Sequence, residues 1–310
     1  MQKSKDTHRK TRYIYITLTS IAFFTFLTLA LLNVFVKREI SNLRFTLNPL
    51  NFEAQNYPII NNNLVPEISA KGAIAIDKNS QVILYQKNAN LRFAPASTTK
   101  IMSALVALDY FNLRDLLTIK TATVEGSVLG VMPDDKFEFE DLLYAMLLPS
   151  ANDAALVIAQ NYPGGEKEFI RKMNEKAVQL HLTSSSYADP IGLDDNKDYT
   201  TSLDLARLAS IALNNPEFTK VVSTKEKQIR SKNGIYYELV NLNKLLDLPG
   251  ISGIKTGFTE GAGQVLVTSK KIANTNQEII IVVMQSEDRF ADTQLLLNYL
   301  EAISYLPIHP

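Results

Sequence analysis

Ser97 and Lys100 stand three positions apart in Ala94-Pro95-Ala96-Ser97-Thr98-Thr99-Lys100, a spacing that can make a nucleophile and its base. Residues three apart on a helix share a face, so the Lys100 amine is expected beside the Ser97 hydroxyl. The run Ile101-Met102-Ser103-Ala104-Leu105-Val106-Ala107-Leu108 is apolar on nearly all sides, which predicts a buried helix over 97–111 opened by Pro95. Burial disfavours an ammonium ion, and a neutral lysine can take the serine proton where other enzymes use histidine. The helix start adds backbone N–H groups and a positive dipole end where an oxyanion would form. The chemistry is acyl transfer through a serine ester.

The competing reading is that Ser97 or Thr98 only caps a helix, and Ser-x-x-Lys arises about once by chance in a chain of this length. It occurs twice, the second time as Ser252-Gly253-Ile254-Lys255. That copy lies among Gly250, Gly253 and Gly257 in a turn-strand context, with no helical face to unite the pair.

Two further motifs extend the first. Pro149-Ser150-Ala151-Asn152-Asp153 puts a hydroxyl and an amide at the junction of two apolar segments; alternatively, Ser150 merely caps the second. Ser231-Lys232-Asn233 shows that Ser-x-Asn recurs. Lys255-Thr256-Gly257 is more specific, since Lys-Thr-Gly arises by chance in about one such chain in twelve. A strand carrying Lys255 and Thr256, with Gly257 allowing close backbone approach, can offer an ammonium, a hydroxyl and an N–H to a carboxylate and a carbonyl.

Composition removes several other chemistries. The 310 residues contain no Cys, so thiolate nucleophiles and Cys-ligated metals are excluded. His8, His181 and His309 are too far apart for metal-ligand spacing, and a Ser-His-Asp triad would rest on His181 alone. Lys plus Arg and Asp plus Glu number 32 each, so no global field favours nucleic acid. Neither a metal nor an organic cofactor is expected.

The elements that must position these residues follow from periodicity. Gly72–Asp77 and Gln81–Gln86 read as a hairpin across Lys78-Asn79-Ser80. Helical spacing recurs over 139–148, 151–161, 166–180 and 202–214. Tyr236–Val240, the stretch around Ile254, Gly263–Ser269 and Glu278–Gln285 are β-like, and 290–303 is a closing helix. Strands at both ends around a helical middle predict an α+β domain, a mostly antiparallel sheet flanked by helices.

Tyr13–Val36 is uncharged over a length sufficient to span a bilayer, and Lys3, Lys5, Arg9, Lys10 and Arg12 precede it. Residues 1–12 are therefore expected as a cytoplasmic basic tail, 13–36 as a transmembrane anchor, and the rest outside the cell membrane. A cleaved signal peptide would have a shorter apolar region and a small-x-small site, which Leu32-Asn33-Val34-Phe35-Val36 lacks. Residues 37–66, rich in Pro and Asn, read as a linker, and 67–310 as the catalytic domain.

Ser-x-x-Lys, Ser-x-Asn and Lys-Thr-Gly in this order form the signature of penicillin-binding proteins and class A β-lactamases. From about Ile68 to Leu300 the chain resembles the low-molecular-mass D-alanyl-D-alanine carboxypeptidases, through the three motifs and through Met173-Asn174, Gly192-Leu193 and Leu203-Asp204-Leu205-Ala206. The resemblance implies the penicillin-binding-protein/β-lactamase fold and a penicillin-sensitive enzyme acting on the D-Ala-D-Ala end of peptidoglycan stem peptides. Ser97 would attack the carbonyl between the two D-alanines with Lys100 as base, and Ser150 would relay the proton to the departing D-alanine. Asn152 would hold Lys100 and the substrate amide, and Lys255 and Thr256 would bind the terminal carboxylate. The N–H groups of Ser97 and Phe258 would form the oxyanion hole. Arg289 matches a family arginine near that carboxylate; as a helix-start residue it also reads as a surface cation.

The sequence departs from the family pattern in places. Ala151 replaces a usual Gly, and Asp189-Pro190-Ile191-Gly192 replaces a usual Asn-Pro-His-Gly. No small C-terminal β domain or amphipathic anchor precedes Pro310, so attachment is expected from the N-terminal span. A β-lactamase would need a carboxylate to activate the deacylating water. Glu166, Glu168 and Glu175 are available but read as the polar face of the helix that holds Phe169 and Met173. A catalytically idle cell-wall-binding module is the alternative from another class, though binding alone requires no nucleophile with an adjacent base.

Overall fold

Ile279-Ile280-Ile281-Val282-Val283-Met284 is apolar at every position, and because a strand sends alternate side chains to opposite faces, this run needs cover on both sides. In the computed structural model it is the middle strand of a five-stranded antiparallel sheet. The order is β3 (Ile83–Lys87), β2 (Gly72–Asp77), β10 (Glu278–Ser286), β9 (Gly263–Lys271), β8 (Ile251–Thr259). The structure describes residues 25–32, 56–61, 64–120, 126–193, 197–273 and 275–307.

The two faces of the sheet build two cores. Ile280, Val282 and Met284 pack with Ile74, Ile76, Val265 and Val267 under the helical middle of the chain. That layer comprises α1 (Lys100–Leu108), α2 (Phe139–Leu147), α3 (Asn152–Asn161), α4 (Gly165–Gln179), α5 (Ser202–Ala212) and α6 (Pro216–Val222). Ile279, Ile281 and Val283 pack with Ala73, Ala75 and Leu266 under Leu296, Leu297 and Leu300 of α7 (Arg289–Leu300). Helices on both faces of an antiparallel sheet make the predicted α+β architecture.

Several elements differ from expectation. The helix predicted over 97–111 divides into a 3-10 turn, Ala96–Thr99, and α1. It stops at Leu108, and Phe111 beyond it packs into the core against Phe139 and Tyr162. Tyr236–Val240 is a strand (β7), but it pairs with β6 (Glu226–Arg230) in a ribbon outside the main sheet. A second ribbon joins β4 (Leu116–Thr118) to β5 (Lys136–Glu138). Helix α6 was not expected, although Asn215 and Pro216 announce it: the Asn215 side chain accepts from the Glu217 and Phe218 N–H groups.

The closing helix ends before residue 303, and Ile303–Pro307 forms β11, antiparallel to β1 (Asn56–Ile60). β1 lies within 37–66, where no regular structure was expected. Pro58 is tolerated because a two-stranded ribbon leaves outward N–H positions without a partner. The Tyr305 hydroxyl donates to Asp77 Oδ2 at 3.0 Å and ties this ribbon to the end of β2.

The chain divides into two compact units, Met1–Glu53 and Ala54–Pro310. In the first, Thr25–Leu32 is helical, with Phe26, Leu29, Leu31 and Leu32 exposed. The remainder of the predicted span 13–36 and the basic tail 1–12 lie outside the described residues. Among the described residues no helix is long and apolar enough to cross a membrane.

Candidate active site

The nucleophile turn is built by backbone conformation. Ala96 has φ 48°, a left-handed geometry that costs a non-glycine residue about 1–2 kcal/mol. Two glycines permit it: a Cβ at Gly192 would fall 1.9 Å from the Ala96 carbonyl oxygen, and one at Gly257 would fall 3.2 Å from the Ser97 nitrogen. The β8 backbone and the turn at residue 192 thus close on the residue before Ser97.

Lys100, the first residue of α1, is completely buried. Its Nζ lies 2.9 Å from Ser97 Oγ, 2.7 Å from Asn152 Oδ1 and 2.8 Å from the Ile191 carbonyl oxygen. Those acceptors match the three donors of an ammonium ion. Burial nevertheless pushes the Lys100 pKa down to about 7, against the opposing pull of Asp189 and Asp153. Near neutrality the amine and the ammonium are therefore both well populated, and the amine has a lone pair for the Ser97 proton.

Asn152 is the first residue of α3, and its N–H donates to the Ser127 carbonyl at 2.7 Å. Its neighbour Asp153 accepts from the Leu129, Gly130 and Val131 N–H groups, binding the loop 126–131 to the same helix start. Ser150 does not cap that helix. Ala151 is the N-cap, and Ser150 stands at φ 67° with its buried Oγ unpartnered among the described residues. A buried hydroxyl without a partner costs about 1–3 kcal/mol. The strained backbone places this hydroxyl at the cleft beside Asn152.

On the opposite wall, Lys255 is 2% exposed and donates to the Thr256 carbonyl at 3.0 Å. Burial, then the nearby Lys100 and Arg289, push its pKa well down, and among the described residues no carboxylate pairs with it. An arriving anion would favour its protonated form. The second Ser-x-x-Lys pair lies along strand β8, with Ser252 within the register shift between Ile251 and Ile254 and the Lys255 amine turned to Thr256. Arg289 begins α7; its Nη1 donates to the Gly257 carbonyl at 2.8 Å, and its buried Nε is unpartnered among the described residues. It faces the cleft, which separates it from an ordinary surface cation.

These groups surround a cavity of about 230 Å³. Ser97, Ser150, Asn152, Thr256, Gly257, Phe258 and Arg289 line it, with Lys100 and Lys255 buried behind. Sequence reasoning did not anticipate Ser127 or Leu242, which also line it. Ile191, read in the sequence only as part of the Asp189–Gly192 segment, lines it too and contributes a main-chain carbonyl, which no residue type signals. His181 lines a separate cavity with Lys78 and Arg207. Glu168 and Glu175 are paired with Arg171, and none of Glu166, Glu168 and Glu175 is among the described lining residues of the cleft.

The cleft combines a serine beside a buried lysine amine on one side with two cationic groups and a hydroxyl on the other. This arrangement suits cleavage of an amide close to a free C-terminus.

Comparison with known proteins agrees with that chemistry. Residues 59–288 match the family described as D-alanyl-D-alanine carboxypeptidase. The chain is 31% identical over 286 residues to the D-alanyl-D-alanine carboxypeptidase DacF of Bacillus subtilis, covering 89% of this chain and 73% of that one. It is 31% identical over 253 residues to a D-alanyl-D-alanine endopeptidase of Escherichia coli, covering 78% and 81%. The crystal structure of the Streptomyces K15 DD-transpeptidase superposes with a TM-score of 0.72 at 32% identity, covering 77% of this chain and 99% of that one. On this evidence of sequence, fold and cleft, the chain belongs to the D-alanyl-D-alanine carboxypeptidase family.

Proposed function

We propose that the protein is a serine-type D-Ala-D-Ala carboxypeptidase that removes the terminal D-alanine from peptidoglycan stem peptides. The observation that carries this reading is the Lys100 amine held between Ser97 Oγ and Asn152 Oδ1, across the cleft from Lys255, Thr256 and Arg289.

Lys255, Thr256 and Arg289 hold the substrate carboxylate, which places the penultimate carbonyl at Ser97. Lys100 takes the hydroxyl proton as Ser97 Oγ bonds to the carbonyl carbon. The Ser97 and Phe258 N–H groups receive the developing oxyanion. The C–N bond then breaks, and the proton passes through Ser150 to the departing amine. Water, deprotonated by the same base, hydrolyses the ester and restores Ser97. A β-lactam presents a strained amide and a carboxylate to the same groups, which makes it an acylating inhibitor.

The uncharged run 13–36 and the basic residues before it support an N-terminal membrane anchor, with the catalytic unit on the outer side facing the cell wall.

Incubating the full chain with a labelled penicillin and, separately, with a peptide ending in D-Ala-D-Ala tests the proposal. Free D-alanine and a stable label on the wild type, both lost in Ser97→Ala, are the expected results. Rapid penicillin turnover would replace the reading with a β-lactamase. Neither acylation nor release by folded protein would leave a binding module.

A further inference from the structure

Asp189 touches neither Ser97 nor Lys100, yet its carboxylate organises the turn on which the lysine rests. Oδ1 accepts the Ile191 N–H at 2.7 Å and the Gly192 N–H at 2.6 Å, and Oδ2 accepts the Leu193 N–H at 3.2 Å. With these N–H groups drawn to the carboxylate, the Ile191 carbonyl is left to accept from Lys100 Nζ at 2.8 Å. The preceding Pro190 carbonyl accepts from Ser103, one turn further along α1. The turn is thus fixed to α1 at two levels, with a half-buried negative charge behind it.

We propose that Asp189 is a positioning residue for the general base: by holding the Ile191, Gly192 and Leu193 N–H groups it aims the Ile191 carbonyl at Lys100 and sets a carboxylate close to the amine. The inference rests on Lys100 being the base for Ser97.

Other charges face the same amine. Asp153 lies behind it on α3, Lys255 lies across the cleft on β8 with Arg289 beside it, and Asp198 meets Thr99 next to Lys100. Asp189 is distinguished by holding the turn whose carbonyl meets Lys100 Nζ directly; it is also the larger of the two favourable influences on the Lys100 ammonium. Burial, and after it the charge of Asp189, holds the pKa of Glu166 on α4 up, so a second acid lies near the turn.

The two roles separate by substitution. Asp189→Asn keeps an acceptor for the turn and removes the charge. Asp189→Glu keeps the charge and disturbs the turn. The Lys100 side chain is followed by lysine 13Cε NMR of the full chain against pH, its signal assigned by loss in Lys100→Arg. This readout requires no turnover. The pH dependence of acylation by a labelled penicillin is measured in parallel.

In Asp189→Asn the Lys100 midpoint and the acid limb of acylation should both move to lower pH by about one unit, a tenfold change in the proton equilibrium. In Asp189→Glu the midpoint should stay within a few tenths of the wild type while the acylation rate falls. A midpoint unmoved in Asp189→Asn would overturn the proposal, as would failure of both variants to fold, which would make the residue a scaffold for the turn alone. A wild-type protein whose Lys100 titrates as described but is never acylated would instead refute the functional reading.

Discussion

Gly192 and Ala96 occupy each other's space: the Ala96 carbonyl oxygen sits 1.9 Å from where any Gly192 Cβ would be, and both residues have positive φ. Gly192 also lies at φ 82°, so a side chain there meets a backbone clash and a conformational penalty together.

Gly192→Ala should therefore destabilise the protein by about 2 kcal/mol or more, lowering the melting temperature by about 4–8 °C. Any folded fraction should acylate slowly, because relief of the clash displaces the residue before Ser97. Thermal unfolding followed by circular dichroism checks this, and an unchanged melting temperature would contradict the described packing.

The titration of Lys100 sets the pH profile. Because its pKa is lowered to about 7, the amine is depleted below that pH, and acylation should fall about tenfold per unit below roughly pH 6. The sign for stability follows from the same shift. Between about pH 7 and about pH 10 the unfolded chain carries a proton on Lys100 that the folded chain lacks, so this residue's contribution becomes more favourable as pH rises through that window. Stopped-flow acylation across pH 5 to 9 tests the first statement, and denaturant unfolding of wild type beside Lys100→Met tests the second.

Asp153 has no exposed surface and holds three successive N–H groups of the loop that Ser127 brings to the cleft. Asp153→Ala should cost about 3 kcal/mol. It should also open residues 126–131 to protease while the sheet stays intact. Limited proteolysis with mass mapping reads this, and cleavage first at an unrelated site would argue against the clamp.

Arg289→Leu removes a cation from the carboxylate end of the cleft. The loss of one charge-assisted hydrogen bond, about 1.5–3 kcal/mol, predicts a KM for D-Ala-D-Ala peptide roughly 10- to 150-fold higher, with a smaller change in kcat. Steady-state kinetics decide it, and an unaltered KM would return Arg289 to a purely structural role through its bond to Gly257.

Much of the cleft was legible in the sequence because its chemistry resides in side chains at fixed spacing. Ser97 and Lys100 are related by a helical turn, and Lys255-Thr256-Gly257 by a strand. Two main-chain features were not legible. The Ile191 carbonyl on Lys100 and the left-handed φ at Ala96 depend on tertiary approach, and neither residue type betrays them. Gly192 was visible as a motif residue, but its reason, the Ala96 oxygen, was not. The same limit applies to the fold. Both faces of β10 follow from an unbroken apolar run, whereas Ile303–Pro307 is short, and its partner lies nearly the whole chain away at Asn56–Ile60. Periodicity records local order and is silent about such distant pairing.

The β1–β11 ribbon has an engineering consequence. Asn56 stands opposite Pro307, and paired Cα atoms in antiparallel strands lie about 4.5–5.5 Å apart, so a few added residues could join them into a ring. Reopening that ring at Lys232-Asn233, in the exposed turn between β6 and β7, would yield a circular permutant with every cleft residue retained. An active permutant would separate catalytic geometry from chain order, with the β1–β11 pair acting as the clasp.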